Sequence, residues 1–178
     1  MALLRPRAFG GFPRCSFRRR ISVLRPRPPM KLTVFESIYV ARTPADVWDF
    51  TQDYSRRTDW DPSILEATVL EREPSPRVRV RAAGGLRAIF QYRQFDRPTR
   101  TSLVMEEVRA FLIEGGGGSW SYEPSGEGTL WTQSNTLIVN SGWWWRPLIP
   151  LVRYQLRAST KGSMGRAKAL LEANEKAS

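Results

Sequence analysis

Six segments with the apolar alternation of half-buried strands follow one another between Ile64 and Val139, and the stretches joining them are only a few residues long. They are Ile64 to Arg72, Arg77 to Ala83, Leu86 to Phe95, Thr101 to Met105, Val108 to Tyr122 and Thr129 to Val139. Several of the joints carry turn chemistry: Glu73-Pro74-Ser75-Pro76, Gly84-Gly85, Asp96-Arg97-Pro98 and Pro124-Ser125-Gly126-Glu127-Gly128. Parallel neighbours need a crossover of about a dozen residues or more, so these segments must pair antiparallel. Gly115 to Gly118 interrupt the fifth segment, which predicts a bulge or bend that curls the sheet.

The flanks complete an α+β order. Leu32 to Ala41 alternates with Leu32, Val34, Ile38 and Val40 on one face, Glu36 being the polar exception, and predicts a first strand. Thr43-Pro44 starts a short helix, with Thr43 as N-cap, Pro44 where its missing N–H is harmless, and Asp46 in the first turn. Val47, Trp48 and Phe50 are its apolar residues. A second helical turn covers Ser55 to Trp60 and closes at Asp61-Pro62, since a residue before proline avoids the helical region. After Asn140-Ser141-Gly142, a helix-like tail runs from Leu151 to about Glu175. Its middle is small (Ala158, Ser159, Gly162, Ser163, Gly165), and glycine weakens a helix, so a close approach or a void beneath it is the expected compensation.

Charge and rare residues then limit the chemistry. Of the formal net charge of +11, eight units come from arginines in residues 1–29, which hold five of the thirteen prolines and no acid; +3 remains for the rest. This leader has little with which to bury surface and is expected to be disordered. Three readings of it compete: a basic arm for phosphates or anionic lipid, a targeting peptide, or an upstream start chosen over Met30, the last being favoured because Met30 directly precedes the first strand. Residues 30–178 form the expected domain. There is no histidine, and Cys15 is the only cysteine. Histidine-based triads, Cys-His catalysis, His or Cys zinc sites and an internal disulfide are therefore excluded. No apolar run approaches the roughly 18 to 20 residues of a membrane span. No cofactor and no metal is expected, and the expected location is the cytoplasm. Nucleic-acid binding is not expected, because the folded part is only mildly basic and lacks an RNA-recognition signature.

Three stretches resemble one superfamily. Ile38-Tyr39-Val40-Ala41-Arg42-Thr43-Pro44-Ala45-Asp46-Val47-Trp48-Asp49-Phe50 resembles the opening strand and Pro-x-x-Val-Trp helix of START-like, or SRPBCC, domains. Asp53 to Pro62 (DYSRRTDWDP) is similar to their second helix, and Trp145 to Leu156 with Ala167-Lys168-Ala169-Leu170-Leu171-Glu172 to their closing loop and long helix. The bacterial members described as polyketide cyclase/dehydrase and lipid transport are the nearest in character. The resemblance implies a helix-grip fold: a curved antiparallel sheet of about seven strands wrapped around a long C-terminal helix, with two short helices after strand one.

It also implies a cavity between sheet and helix for a hydrophobic or aromatic small molecule, lipid- or polyketide-like. The lining residues so implied are Trp60, Phe90, Tyr92, Met105, Trp120, Tyr122, Trp131 and Leu156. Ordinary core packing is the competing reading for each of them. If the protein is instead a cyclase or dehydratase, its acid and base must be Glu, Asp, Tyr, Lys or Arg, and Glu36, Tyr92, Arg93 and Tyr122 are the candidates. For Glu36 the favoured reading is that it pairs with a neighbouring Arg or points out past a bulge. Trp143, Trp144 and Trp145, beside Arg146, Leu148 and Ile149, suit a peripheral membrane or partner contact, or a lid over the cavity mouth.

Overall fold

The computed structural model describes residues 29–140 and 142–173, with backbone alone for residues 143–145. Residues 1–28 of the leader and the side chains of Trp143, Trp144 and Trp145, on which the arm and membrane expectations rested, lie outside the described residues.

Strand β1 (Met30–Val40) buries Leu32, Val34 and Val40 while Phe35 and Tyr39 face outward, as period-two alternation requires. Helix α1 (Pro44–Gln52) follows, its first turn capped by Thr43, whose Oγ1 accepts from the Asp46 amide and donates to Asp46 Oδ2 at 2.7 Å. A 3₁₀ turn (Tyr54–Arg56) leads into the single turn α2 (Arg57–Trp60). Then come β2 (Ile64–Glu71), β3 (Arg77–Ala82), β4 (Arg87–Asp96), β5 (Arg100–Arg109), β6 (Ile113–Ser125) and β7 (Gly128–Val139). A 3₁₀ segment (Trp143–Leu148) precedes the long helix α3 (Ile149–Ala173).

All seven strands form one curved antiparallel sheet, in the order β1-β7-β6-β5-β4-β3-β2, with α3 as the gripped helix. Consecutive strands are neighbours throughout β2 to β7, as short turns demand. The first strand closes onto the last, with Met30 opposite Val139 and Val40 opposite Thr129.

One boundary differs from expectation. Val108 belongs to β5, and the chain reverses at Ala110-Phe111-Leu112, residues that carry no turn signal. β5 and β6 pair only from Arg100–Ser121 to Val104–Gly117 and then separate, Glu107 taking a φ of 49°. Past that point the ladder gives way, so apolar identity hides the reversal. The glycine run does bend the strand: the register of β6 on β7 shifts between Ile113 and Gly115. A Cβ on Gly117 would stand 2.5 Å from the Leu103 carbonyl oxygen, closer than a side chain tolerates.

Of the small residues in the middle of α3, Ser159 and Ser163 do line the space beneath the helix, and the glycines do not. Gly162 and Gly165 face solvent, and a Cβ on either would meet nothing within 4 Å. The helix therefore gains no cavity space from them. It lies along β1, held by Arg157 on Glu36, by the Ala41 amide on Glu172 Oε1 (3.0 Å) and by Arg42 Nε on the Leu171 carbonyl (3.1 Å). Docking along that edge strand leaves much of the sheet's inner face uncovered.

Candidate ligand cavity

The two ends of the space between sheet and α3 differ. At the α1 end it is filled by an aromatic core. Trp60 meets Trp131 edge-on at 5.9 Å, Tyr122 stacks on Trp131 at 6.3 Å, and Trp48 abuts Tyr122 at 5.3 Å. Met164, Ala167 and Leu171 of α3 press on this cluster. At the other end, a cavity of about 520 Å³ remains. It reaches the surface beside Phe111 and Leu148, which line it yet are 84% and 41% exposed, and it ends inside at residues that are nearly all below 7% exposed.

Of the eight residues named from sequence as lining, the structure brings Phe90, Met105, Trp120 and Leu156 to the cavity wall. Trp60, Tyr92, Tyr122 and Trp131 do not reach it, because α1 and α2 cover their half of the sheet and large rings fill the gap there. The four candidate acid–base groups also lie elsewhere. Glu36 sits on the inner face of β1 but is taken by Arg157 Nε. Arg93 is on the outer face, 3.0 Å from Glu106. The Tyr92 and Tyr122 hydroxyls are committed to one buried network: Tyr92 donates to Gln52 Oε1 (2.8 Å), Gln52 Nε2 donates to the Tyr122 oxygen (2.8 Å), Thr51 Oγ1 is 2.7 Å from Tyr122, and Tyr54 is 2.8 Å from Tyr92. Burial pushes Tyr122 up to about 12 and Tyr92 well above the ordinary tyrosine value, so both stay protonated at neutral pH.

What the cavity does contain is a polar inner end that sequence reasoning passed over. Arg57, which opens α2, and Asp61, the residue just past its end, form a buried ion pair: Arg57 Nη2 and Nε donate to Asp61 Oδ2 at 2.9 and 3.2 Å. The other carboxylate oxygen accepts from Ser63 Oγ (2.5 Å), the Ser63 amide (3.2 Å) and Ser163 Oγ of α3 (3.0 Å). Burial by itself would lower the Arg57 pKa, but the facing Asp61 carboxylate together with neighbouring Tyr54 and Tyr92 holds the guanidinium above its usual value. The guanidinium also lies over the Trp60 ring, 4.1 Å from its centre.

A second polar group continues the strip. Asn135 Nδ2 donates to Thr160 Oγ1 at 3.0 Å and, at 3.3 Å, to Gln133 Oε1, and Thr160 Oγ1 donates to the Leu156 carbonyl at 2.9 Å. Gln133 and Asn135 share the inward phase of β7 with Trp131 and Val139, and that was the available signal. Polar residues on an apolar phase, one strand before the gripping helix, are candidates for a site.

The chemistry of the lining is thus narrow. Arg57 and Asp61 are its only titratable residues among the described residues, and they neutralise each other. No group of three or more His, Cys, Asp or Glu able to hold a metal occurs among the described residues.

A seven-stranded antiparallel sheet gripping one long helix over an open-ended apolar cavity is the architecture of START-like domains. The family model for polyketide cyclase / dehydrase and lipid transport matches residues 31–172, and the chain belongs to that family. No curated protein matches. Among solved structures, the chain is similar to TTHA0849 from Thermus thermophilus, at 18% identity and a TM-score of 0.71 over 80% of this chain and 98% of that one. It is similar to the Zhui aromatase/cyclase from a Streptomyces species at 15% identity and a TM-score of 0.66, covering 80% and 94%. It is also similar to a START superfamily protein from Mycobacterium smegmatis, at 16% identity and a TM-score of 0.63, covering 82% and 99%. At these identities the likeness is one of fold. No helix among the described residues is long and apolar enough to cross a membrane.

Proposed function

We propose that this protein binds one hydrophobic small molecule in the cavity between the sheet and α3 and holds it without transforming it. One observation carries this reading: a cavity of about 520 Å³, mostly apolar in its walls, whose only ionisable groups among the described residues form a closed pair. Apolar burial contributes about 25 cal/mol per Å², so a ligand losing a few hundred Å² of surface gains several kcal/mol with no catalytic group involved.

The alternative is a cyclase or dehydratase, which the family description and the aromatase/cyclase neighbour favour. Such chemistry would have to run through Asp61, the one carboxylate on the wall among the described residues, and Arg57, Ser63 and Ser163 already occupy its oxygens. A base engaged in that way is poorly placed to take a proton from a substrate.

Native mass spectrometry of freshly purified protein, followed by titration with the hydrocarbon fluorophore diphenylhexatriene, tests the reading. A bound small molecule, or saturable fluorescence enhancement with one site per chain, is the expected result. Folded protein that carries nothing and takes up no diphenylhexatriene would reject it.

A further inference from the structure

Three apolar tips rim the cavity mouth. Successive turns of an antiparallel sheet fall at alternate ends, so Ala83-Gly84-Gly85-Leu86 and Ala110-Phe111-Leu112 share one end, and β7 returns there to reach Pro147-Leu148. Each tip contributes to the cavity wall: Leu86, then Phe111, then Leu148. Each is also exposed, at Ala83 and Gly84, at Phe111, and at Pro147 and Leu148, with Leu151 of α3 52% exposed beyond them. Turns in water are ordinarily polar, and those at the far end of this sheet conform, with Glu73, Asp96, Arg97 and Glu127.

Cations bracket every one of these tips. Arg81 and Arg87 flank the first, Arg109 precedes the second, and Arg146 and Arg153 lie on either side of Leu148 and Leu151. On the outer face of the sheet, Arg87 stands directly between Arg81 of β3 and Arg109 of β5. Like charges opposite one another across strands are destabilising, so this row costs stability until an anion faces it. Glu66 offsets Arg81 at 3.1 Å, whereas Arg87, Arg109, Arg146 and Arg153 form no ion pair among the described residues. Glu107 and Glu114 are the exposed acids beside this end. Residues 1–29, with eight arginines and no acid, join β1 at Met30 opposite Val139, and so at the same end.

Apolar tips interleaved with cations match the boundary of a bilayer, where apolar side chains enter the headgroup region and arginines meet lipid phosphates. An acidic protein would satisfy the arginines and leave Phe111, Leu148 and Leu151 without a matching surface. We infer that the mouth end is a docking surface for an anionic phospholipid membrane, so that a hydrophobic ligand passes between bilayer and cavity without crossing water. This goes beyond the carrier reading, which diphenylhexatriene uptake in free solution tests by itself.

The test is flotation of the full chain with vesicles of phosphatidylcholine alone and of equal parts phosphatidylcholine and phosphatidylglycerol. The anionic vesicles should bind at least about tenfold more tightly, and the difference should shrink as salt rises from about 0.1 M to about 0.5 M. Arg87→Gln/Arg109→Gln should weaken anionic binding at least about tenfold while leaving diphenylhexatriene uptake unchanged, since neither residue lines the cavity. Leu151→Ser, which leaves the charge as it is, should weaken it severalfold. Should the double arginine variant fail to fold by circular dichroism, Arg146→Gln/Arg153→Gln makes the same test. Equal binding to both vesicles, or wild-type affinity in a folded arginine variant or in Leu151→Ser, overturns the assignment; in the arginine case attachment would lie in residues 1–29 alone. Capture by polyglutamate with no vesicle binding also overturns it, in favour of an acidic protein partner.

Discussion

Removing Asp61 should be among the most damaging single changes in this protein. In Asp61→Ala, the Arg57 guanidinium keeps its place over Trp60, 6% exposed, but loses the carboxylate that neutralises it. Two donors of Arg57, the Ser63 amide and hydroxyl, and the Ser163 hydroxyl all lose their acceptor at once. Breaking a buried pair by deleting one partner costs about 3–5 kcal/mol. The whole stability of a domain is about 5–15 kcal/mol, so a large fraction disappears. With a urea slope of about 2 kcal/mol per M, the midpoint should fall by about 2 M, or the variant should be unfolded outright. The double variant Arg57→Met/Asp61→Leu should recover most of the loss, because it removes the stranded charge and refills the volume. Equilibrium urea unfolding followed by tryptophan fluorescence measures all three proteins. A loss under about 1 kcal/mol for Asp61→Ala, with no recovery in the double variant, would refute the reasoning: water would then be reaching a guanidinium we describe as buried.

Other outcomes follow from the same geometry. Gly162→Ala and Gly165→Ala should each stabilise the protein by about 0.5–1 kcal/mol, since alanine suits a helix better and the added Cβ meets nothing; differential scanning calorimetry should show Tm rising by about 1–4 °C each, and a fall would place those faces against another surface. Ser159→Phe puts a ring into the cavity from α3, so diphenylhexatriene uptake should drop while urea stability stays near wild type; undiminished uptake would put the bound molecule elsewhere. Burial raises the pKa values of Tyr54, Tyr92 and Tyr122 in the folded state, Tyr122 to about 12, so their contribution to stability is complete below the unfolded tyrosine value of about 10 and is lost as pH rises above it, for Tyr122 through about 12. Ultraviolet titration should therefore show Tyr54, Tyr92 and Tyr122 ionising only with alkaline unfolding; ionisation of these three while the far-ultraviolet spectrum stays native-like would contradict the buried network.

Much of the architecture was legible because it depends on neighbours along the chain. Short joints forced antiparallel pairing, Thr43-Pro44 started α1, and the order of elements pointed to a sheet gripping a helix. Signals at Gly84-Gly85 and Pro124 to Gly128 held because turn chemistry is local. The reversal at Ala110 to Leu112 was missed for the same reason: nothing local announces it, and it exists because β5 and β6 separate after Val104.

Which part of the interior is hollow was decided only in three dimensions. An inward strand position meets a ring, a helix or open space according to where α3 crosses, and that is set by contacts such as Glu36 with Arg157 and Asp61 with Ser163, more than a hundred residues apart in the chain. Periodicity therefore put Tyr92 and Tyr122 on the same face as Phe90 and Trp120 but could not separate the packed end from the open one. The polar strip shows the same division. Gln133, Asn135, Arg57 and Asp61 stand in plain view in the sequence, yet only folding brings them together at the inner end of the cavity, where each must find its partners within the chain.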